Sequence, residues 1–163
     1  MPFDGFPTLC QHTTRIRRMR HPEQSRLWRY WVPGDFIDGY GVPSSAPLDE
    51  AVSLGLRAPD WVSRVMRLRN LVAGQLGLKQ GSVNDGSSLF PTTFWSADER
   101  VLGIDDHHLN FRISIMRVDG MIRMATWVHP HNRLGRTYLR TVLPFHKLIS
   151  RDALRRIARH HPG

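Results

Sequence analysis

Residues 107–129 read His-His-Leu-Asn-Phe-Arg-Ile-Ser-Ile-Met-Arg-Val-Asp-Gly-Met-Ile-Arg-Met-Ala-Thr-Trp-Val-His, two alternating runs joined by Asp119-Gly120. Asp-Gly between such runs marks a two-residue β-hairpin turn, because that turn needs positive φ at its central positions. The turn fixes the register: Val118 faces Met121, and counting back places His108 opposite His131. Side chains alternate along a strand, so Leu109, Phe111, Ile113 and Ile115 share one face with Ile122, Met124, Thr126 and Val128. The other face carries His108, Asn110, Arg112 and Ser114 with Arg123, Ala125, Trp127, His129 and His131. The first set is apolar except for Thr126 and is expected to point inward; the second is expected to face water.

Further strands of the same period are predicted at 90–95, 99–104 and 136–143, with a short one at 36–40. One helix is predicted from Ser44-Ser45 to Leu56, with Asp49 and Glu50 in its first turn. A second runs from Pro59-Asp60 to Gly77 and carries Trp61, Val65, Leu68, Val72 and Leu76 at helical spacing. A third is predicted after Pro144, to about His160, with Phe145, Leu148, Ile149, Ala153 and Ile157 on one side. The fold class is α+β: a curved antiparallel sheet with helices over its apolar face, two of them between the first and second strands. Such a sheet can hold a helix without filling the space between them. A cavity there would suit an apolar or amphipathic small molecule, with Phe111, Ile113, Met124, Thr126 and Phe145 lining it. Packing to ordinary interior density would instead give a solid core.

A chain of 163 residues supports one sizeable core. Residues 1–20 are expected to form a loose arm and 21–163 a single domain. No apolar run reaches membrane length and no signal peptide is visible, so a soluble cytoplasmic protein is expected. Cys10 is the sole cysteine, which excludes an internal disulfide and a cysteine-based zinc site in this chain. Net charge is +9, and Lys79 and Lys147 are the only lysines among the 23 basic residues. Arg15, Arg17, Arg18 and Arg20 form a local cluster suited to phosphates, a route to nucleic acid. Arginines spread along the whole chain equally express composition alone.

His108, His129 and His131 are the strongest metal-ligand candidates, since His-x-His on a strand points both rings one way. On a water-facing surface they would lack a second shell to orient them, so no metal and no cofactor is expected. Asp35, Asp38, Glu99, Asp105 and Asp106 offer carboxylates, and His146 an imidazole that titrates near neutrality. No nucleophile elbow and no phosphate-cradling glycine loop is present.

Several segments together resemble a bacterial family known as domain of unknown function 2867. They are Gly-Asp-Phe-Ile-Asp-Gly-Tyr at 34–40, Pro-Asp-Trp-Val at 59–62 with Arg-Leu-Arg-Asn at 67–70, Leu-Gly-Ile-Asp-Asp-His-His-Leu-Asn-Phe at 102–111, and Leu-Gly-Arg-Thr-Tyr-Leu-Arg-Thr-Val-Leu-Pro-Phe-His at 134–146. The resemblance implies a START-like, helix-grip fold similar to Bet v 1, in which a curved sheet wraps a long C-terminal helix around a cavity. Some relatives join a similar domain to a nucleotide-binding one, but this chain has no Gly-x-Gly-x-x-Gly fingerprint, so nicotinamide binding is not carried over. The polar positions that match the family pattern, Asp35, Asp38, Arg69, Asp106, Arg136 and His146, are candidate site residues. The leading expectation is a binding domain for a small apolar or amphipathic ligand. The alternatives are an enzyme acting on a hydrophobic substrate in the same cavity and a basic nucleic-acid-associated factor.

Overall fold

The computed structural model describes residues 15–57 and 90–163. In chain order they form β1 (Arg17–Arg18), a 3-10 turn (Arg26–Arg29), β2 (Phe36–Pro43), α1 (Leu48–Leu56), β3 (Thr92–Trp95), β4 (Glu99–Asp105), β5 (Leu109–Val118), β6 (Met121–Pro130) and α2 (Arg133–His160). The strands make one antiparallel sheet in the order β1-β2-β6-β5-β4-β3. The β5–β6 hairpin has the expected register, with Val118 opposite Met121 and Ile113 opposite Thr126. Asp119 and Gly120 both have positive φ, 51° and 68°, as the turn demands. Arg17 and Arg18, within the stretch read as a loose arm, pair with Gly41 and Tyr40 at the sheet edge.

Two expectations are corrected. Residues 136–143 are not a strand but the first turns of α2, which begins at Arg133 and not after Pro144. Thr137, Tyr138, Thr141 and Val142 favour strands, but propensity differences of a few tenths of a kcal/mol per residue yield to capping and packing. Asn132 caps the helix, its Oδ1 accepting from the Gly135 N–H at 2.9 Å. Glycine at 135 is required by close approach, since a Cβ there would strike the His108 carbonyl. Pro144 sits exposed inside the helix, where the carbonyl it leaves without an N–H partner can turn to water. Of the two helices expected between the first strands, α1 lies between β2 and β3, and the one predicted at 59–77 falls outside the described residues.

The second correction concerns the layers. The inner face is apolar as expected, and Tyr40, Val42, Ile115, Ile122 and Met124 pack against Leu48 and Ala51 of α1 and Ala153, Leu154 and Ile157 of α2. Arg156 joins the two helices by donating to the Leu54 carbonyl at 3.2 Å, a cation on the C-terminal end of α1. The middle of the outer face does not meet water. Arg112, Ser114, Ala125 and Trp127 are buried on it, under residues that include His21, Ser25, Leu27 and Tyr30. Trp127, read from sequence as exposed, is 4% accessible.

Burying that face requires partners for its polar groups. Glu99 Oε1 accepts from Ser25 Oγ and from Ser114 Oγ, each at 2.5 Å, and Oε2 accepts from the Arg26 N–H at 2.8 Å. His21 Nε2 lies 2.8 Å from the same Ser114 hydroxyl. With Ser114 donating to Glu99, His21 donates from Nε2, and the chain of four side chains closes. Burial, with the Arg123 charge adding to it, pushes His21 down to about 3.

The folded pKa of His21 lies below its unfolded value near 6.5, so below that value the unfolded chain takes the proton first. The stability that neutral His21 supplies is therefore complete above about pH 6.5 and lost as pH falls toward 3. Urea denaturation is expected to show a decline approaching 1.4 kcal/mol per pH unit from this group well below pH 6.5. His21→Gln is expected to lower stability at pH 7 by about 1–3 kcal/mol and to flatten that decline.

Candidate functional site

Strand alternation puts Phe36, Asp38, Tyr40 and Val42 of β2 on the inner face, opposite Val128, Thr126, Met124 and Ile122 of β6. The Tyr40–Val42 end lies in the core formed with α1 and the C-terminal half of α2. At the Phe36–Asp38 end the N-terminal half of α2 takes over, and His146 meets Phe36 edge-on with ring centres 6.5 Å apart. Here the apolar residues are only half-buried: Phe36, Ile104, Leu109, Phe111 and Ile113 on the sheet, and Leu139, Val142, Leu143 and Ile149 on the helix. The floor beneath them, Asp38, Thr126 and Val128, is buried.

Asp38 is the polar centre of this end. Its side chain has no solvent exposure, and it accepts from Tyr40 OH at 2.9 Å and from Arg18 Nε at 3.3 Å. Burial, the hydrogen bond to Asp38 and the Asp38 charge together raise the Tyr40 phenol above its usual range. The Arg151 guanidinium lies over the same ring, 5.3 Å from its centre. Burial lowers the His146 imidazole, and although the Asp38 charge pulls the other way, burial wins. His146 is therefore neutral at pH 7, with Nε2 3.4 Å from the buried Ser150 hydroxyl. A neutral imidazole beside a fixed carboxylate at the rim of apolar surface can hydrogen-bond the polar end of an otherwise apolar molecule, or take a proton from it.

Of the expected apolar lining, Phe111, Ile113, Met124 and Thr126 share the inner face, and Phe111 also packs edge-on against Phe90 at 4.8 Å. Phe145 lies on the flank of α2 and is 46% exposed. The expected polar set does not come together. Asp38 and His146 share the inner face, the charge of one reaching the other, while Asp35 serves the opposite face, accepting from Trp127 Nε1 at 2.7 Å. Asp106 sits in the β4–β5 turn and accepts from the His107 N–H at 2.6 Å. Arg136 is exposed on the first turns of α2, and Arg69 lies outside the described residues. Sequence reading missed Tyr40 and Arg151, and it placed Arg18 in the phosphate-suited cluster instead of beside Asp38. The Phe36-x-Asp38-x-Tyr40 alternation was the available signal for Tyr40; nothing local announced Arg151 or the pairing of Arg18 with Asp38.

Within the basic cluster, Arg18 is engaged by Asp38 and Arg20 by Glu23 at 3.7 Å and by the Trp28 ring, whereas Arg15 and Arg17 are exposed. Among the described residues no group of three or more His, Cys, Asp or Glu side chains is placed to hold a metal ion, and no helix is long and apolar enough to cross a membrane.

These features define an α+β domain in which an open six-stranded antiparallel sheet carries a long C-terminal helix on one face. The chain belongs to the family described as protein of unknown function (DUF2867), whose model matches residues 34–153 and so includes Asp38, Phe111, Thr126 and His146. No curated protein and no solved structure matches the chain.

Replacing Asp38 by Asn removes the charge that raises both neighbours. In Asp38→Asn the pKa values of His146 and Tyr40 are both expected to fall, read from the ring resonances in an NMR titration.

Proposed function

We propose that this protein is a soluble cytoplasmic binding domain for a small apolar or amphipathic molecule. The ligand lies between the inner sheet face and the N-terminal half of α2, in a helix-grip arrangement. The observation that carries this reading is the change in burial along one continuous apolar face. The same strands that are sealed beneath α1 and the C-terminal half of α2 leave Phe36, Phe111 and Ile113 half-open under its N-terminal half. Apolar surface left partly open around a few converging polar groups is the usual character of a ligand site. His146, in the field of the buried Asp38, would orient the polar end of the ligand, and the half-open apolar side chains would take its body.

A second reading, in which the site is catalytic, draws on one feature: His146 is neutral and feels the Asp38 charge. In that reading His146 is a general base acting on a bound hydrophobic substrate.

Native mass spectrometry of the purified chain is expected to retain a small-molecule mass. The fluorophore 8-anilinonaphthalene-1-sulfonate is expected to bind the folded protein at one saturable site whose affinity changes little with salt. Ile113→Arg should weaken that binding roughly tenfold or more by placing an unpaired charge in the cleft, while Trp95→Ala, on an exposed edge residue, should not change it. A bare mass together with an unaffected Ile113→Arg variant would favour a solid inner layer. Turnover that is lost in His146→Ala with fluorophore binding intact would establish the catalytic reading.

A further inference from the structure

The outer face ends, beside the N-terminus of α2, in a pair of imidazoles that the binding cleft does not use. On a bare surface His129 and His131 would have nothing to orient them, but this surface is not bare. Asp35, with a side chain 2% exposed, accepts from Trp127 Nε1 at 2.7 Å and from the Val32 N–H at 3.0 Å, so its carboxylate is pinned. Its Oδ1 lies 2.5 Å from His129 Nδ1. The proton of neutral His129 is thereby fixed on Nδ1, and the lone pair is on Nε2 of a ring that is 37% exposed. The ring also lies nearly parallel to that of Trp127, at 14° and 6.2 Å between centres, so it has little freedom to turn.

His131 is fixed from the other side. Its Nε2 lies 3.0 Å from Asn110 Oδ1, an acceptor, which places its proton on Nε2 and its lone pair on Nδ1. The two ring centres are 5.1 Å apart with the planes at 75°. Two imidazoles bound to one tetrahedral ion at metal–nitrogen distances of about 2.0–2.1 Å hold their centres roughly 5 Å apart.

The third candidate is excluded by the same bookkeeping of protons. Asn132 uses Oδ1 to cap α2, which leaves its amide nitrogen toward His108 Nδ1 at 3.0 Å. His108 Nδ1 accepts that bond, so its other nitrogen carries the proton and offers no lone pair. The site therefore has two protein ligands, consistent with the absence of a three-residue cluster among the described residues.

We propose that His129 Nε2 and His131 Nδ1 together bind a divalent transition-metal ion of the zinc, nickel or copper type, with water in the remaining positions. Imidazole ligands select these ions over magnesium and calcium. Asp35 supplies the carboxylate behind a metal-binding histidine, which raises ligand basicity and offsets the unfavourable field of the nearby helix N-terminus.

Isothermal titration of the tag-free full chain with zinc chloride tests this. One saturable zinc site is expected, tighter with copper(II) and absent with magnesium. His129→Ala and His131→Ala should each weaken zinc binding at least about tenfold, Asp35→Asn by about 10–100-fold, and His108→Ala not at all. His131 is exposed, so its replacement leaves the fold intact and keeps the test decisive even where Asp35→Asn unfolds. Zinc should also shift the ring resonances of His129 and His131 and not those of His146. The proposal is overturned if the chain takes up no zinc saturably, if His131→Ala binds zinc as tightly as the unaltered chain, or if His108→Ala abolishes binding.

Discussion

A sheet covered at its centre on both faces leaves the polar side chains beneath the cover no water to turn to, and Glu99 is where this protein meets that constraint. The carboxylate is buried on β4, and an unpaired charge there would cost several kcal/mol. It is instead saturated by two hydroxyls and a backbone N–H, from Ser114 on β5 and from Ser25 and Arg26 in the segment that crosses the outer face. That segment is held by few apolar anchors, with Leu27 the only wholly buried residue of its 3-10 turn. Its placement over the sheet therefore rests on polar geometry as much as on apolar area. With the outer layer secured in this way, the inner face is left to pack α1 and α2, which differ in reach.

The unequal reach has a simple origin. A helix of 28 residues is about 42 Å long, whereas a strand of 8 residues such as β2 spans about 27 Å. α2 cannot press its whole length against the sheet, and α1 accompanies only its C-terminal half. From Ser150 to Ala158 the buried positions Ser150, Ala153, Leu154, Ile157 and Ala158 follow the helical period closely, and the contact is sealed. Toward Asn132 the sheet-facing side chains are half-buried, and at this open end of the inner layer His146 meets Phe36 and feels the charge of Asp38. Among the described residues, the candidate cleft follows from lengths and packing.

What could be read from the sequence follows from how local each signal is. The hairpin was legible because a two-residue turn and a period of two fix every facing pair from one dipeptide. The outer layer was not, because residues 19–31 have no periodicity and their burial depends on Glu99 and Ser114, far along the chain. The first turns of α2 were misread because Tyr138, Thr141 and Val142 favour strands, and the cap that decides the matter uses the Asn132 side chain. That error carried into the site. A helix imagined to start after Pro144 puts Phe145 on its buried side. In the real helix the sheet-facing stripe runs through His146, Ser150, Ala153, Leu154 and Ile157, and Phe145 falls to the flank.

β2 shows how little separates two different chemistries. Asp35 and Asp38 are three residues apart, and an odd spacing along an extended chain sends them to opposite faces. On the inner face Asp38 is held by Tyr40 and Arg18 and acts on His146 only through its field, which burial outweighs, leaving a neutral imidazole at the edge of apolar surface. On the outer face Asp35 bonds His129 directly and fixes the position of its proton, leaving the opposite nitrogen open to solvent. One arrangement suits a molecule that brings its own apolar body, the other an ion that brings charge. Each assignment follows from what the neighbouring layer does to an aspartate and a histidine, two residue types the two sites share.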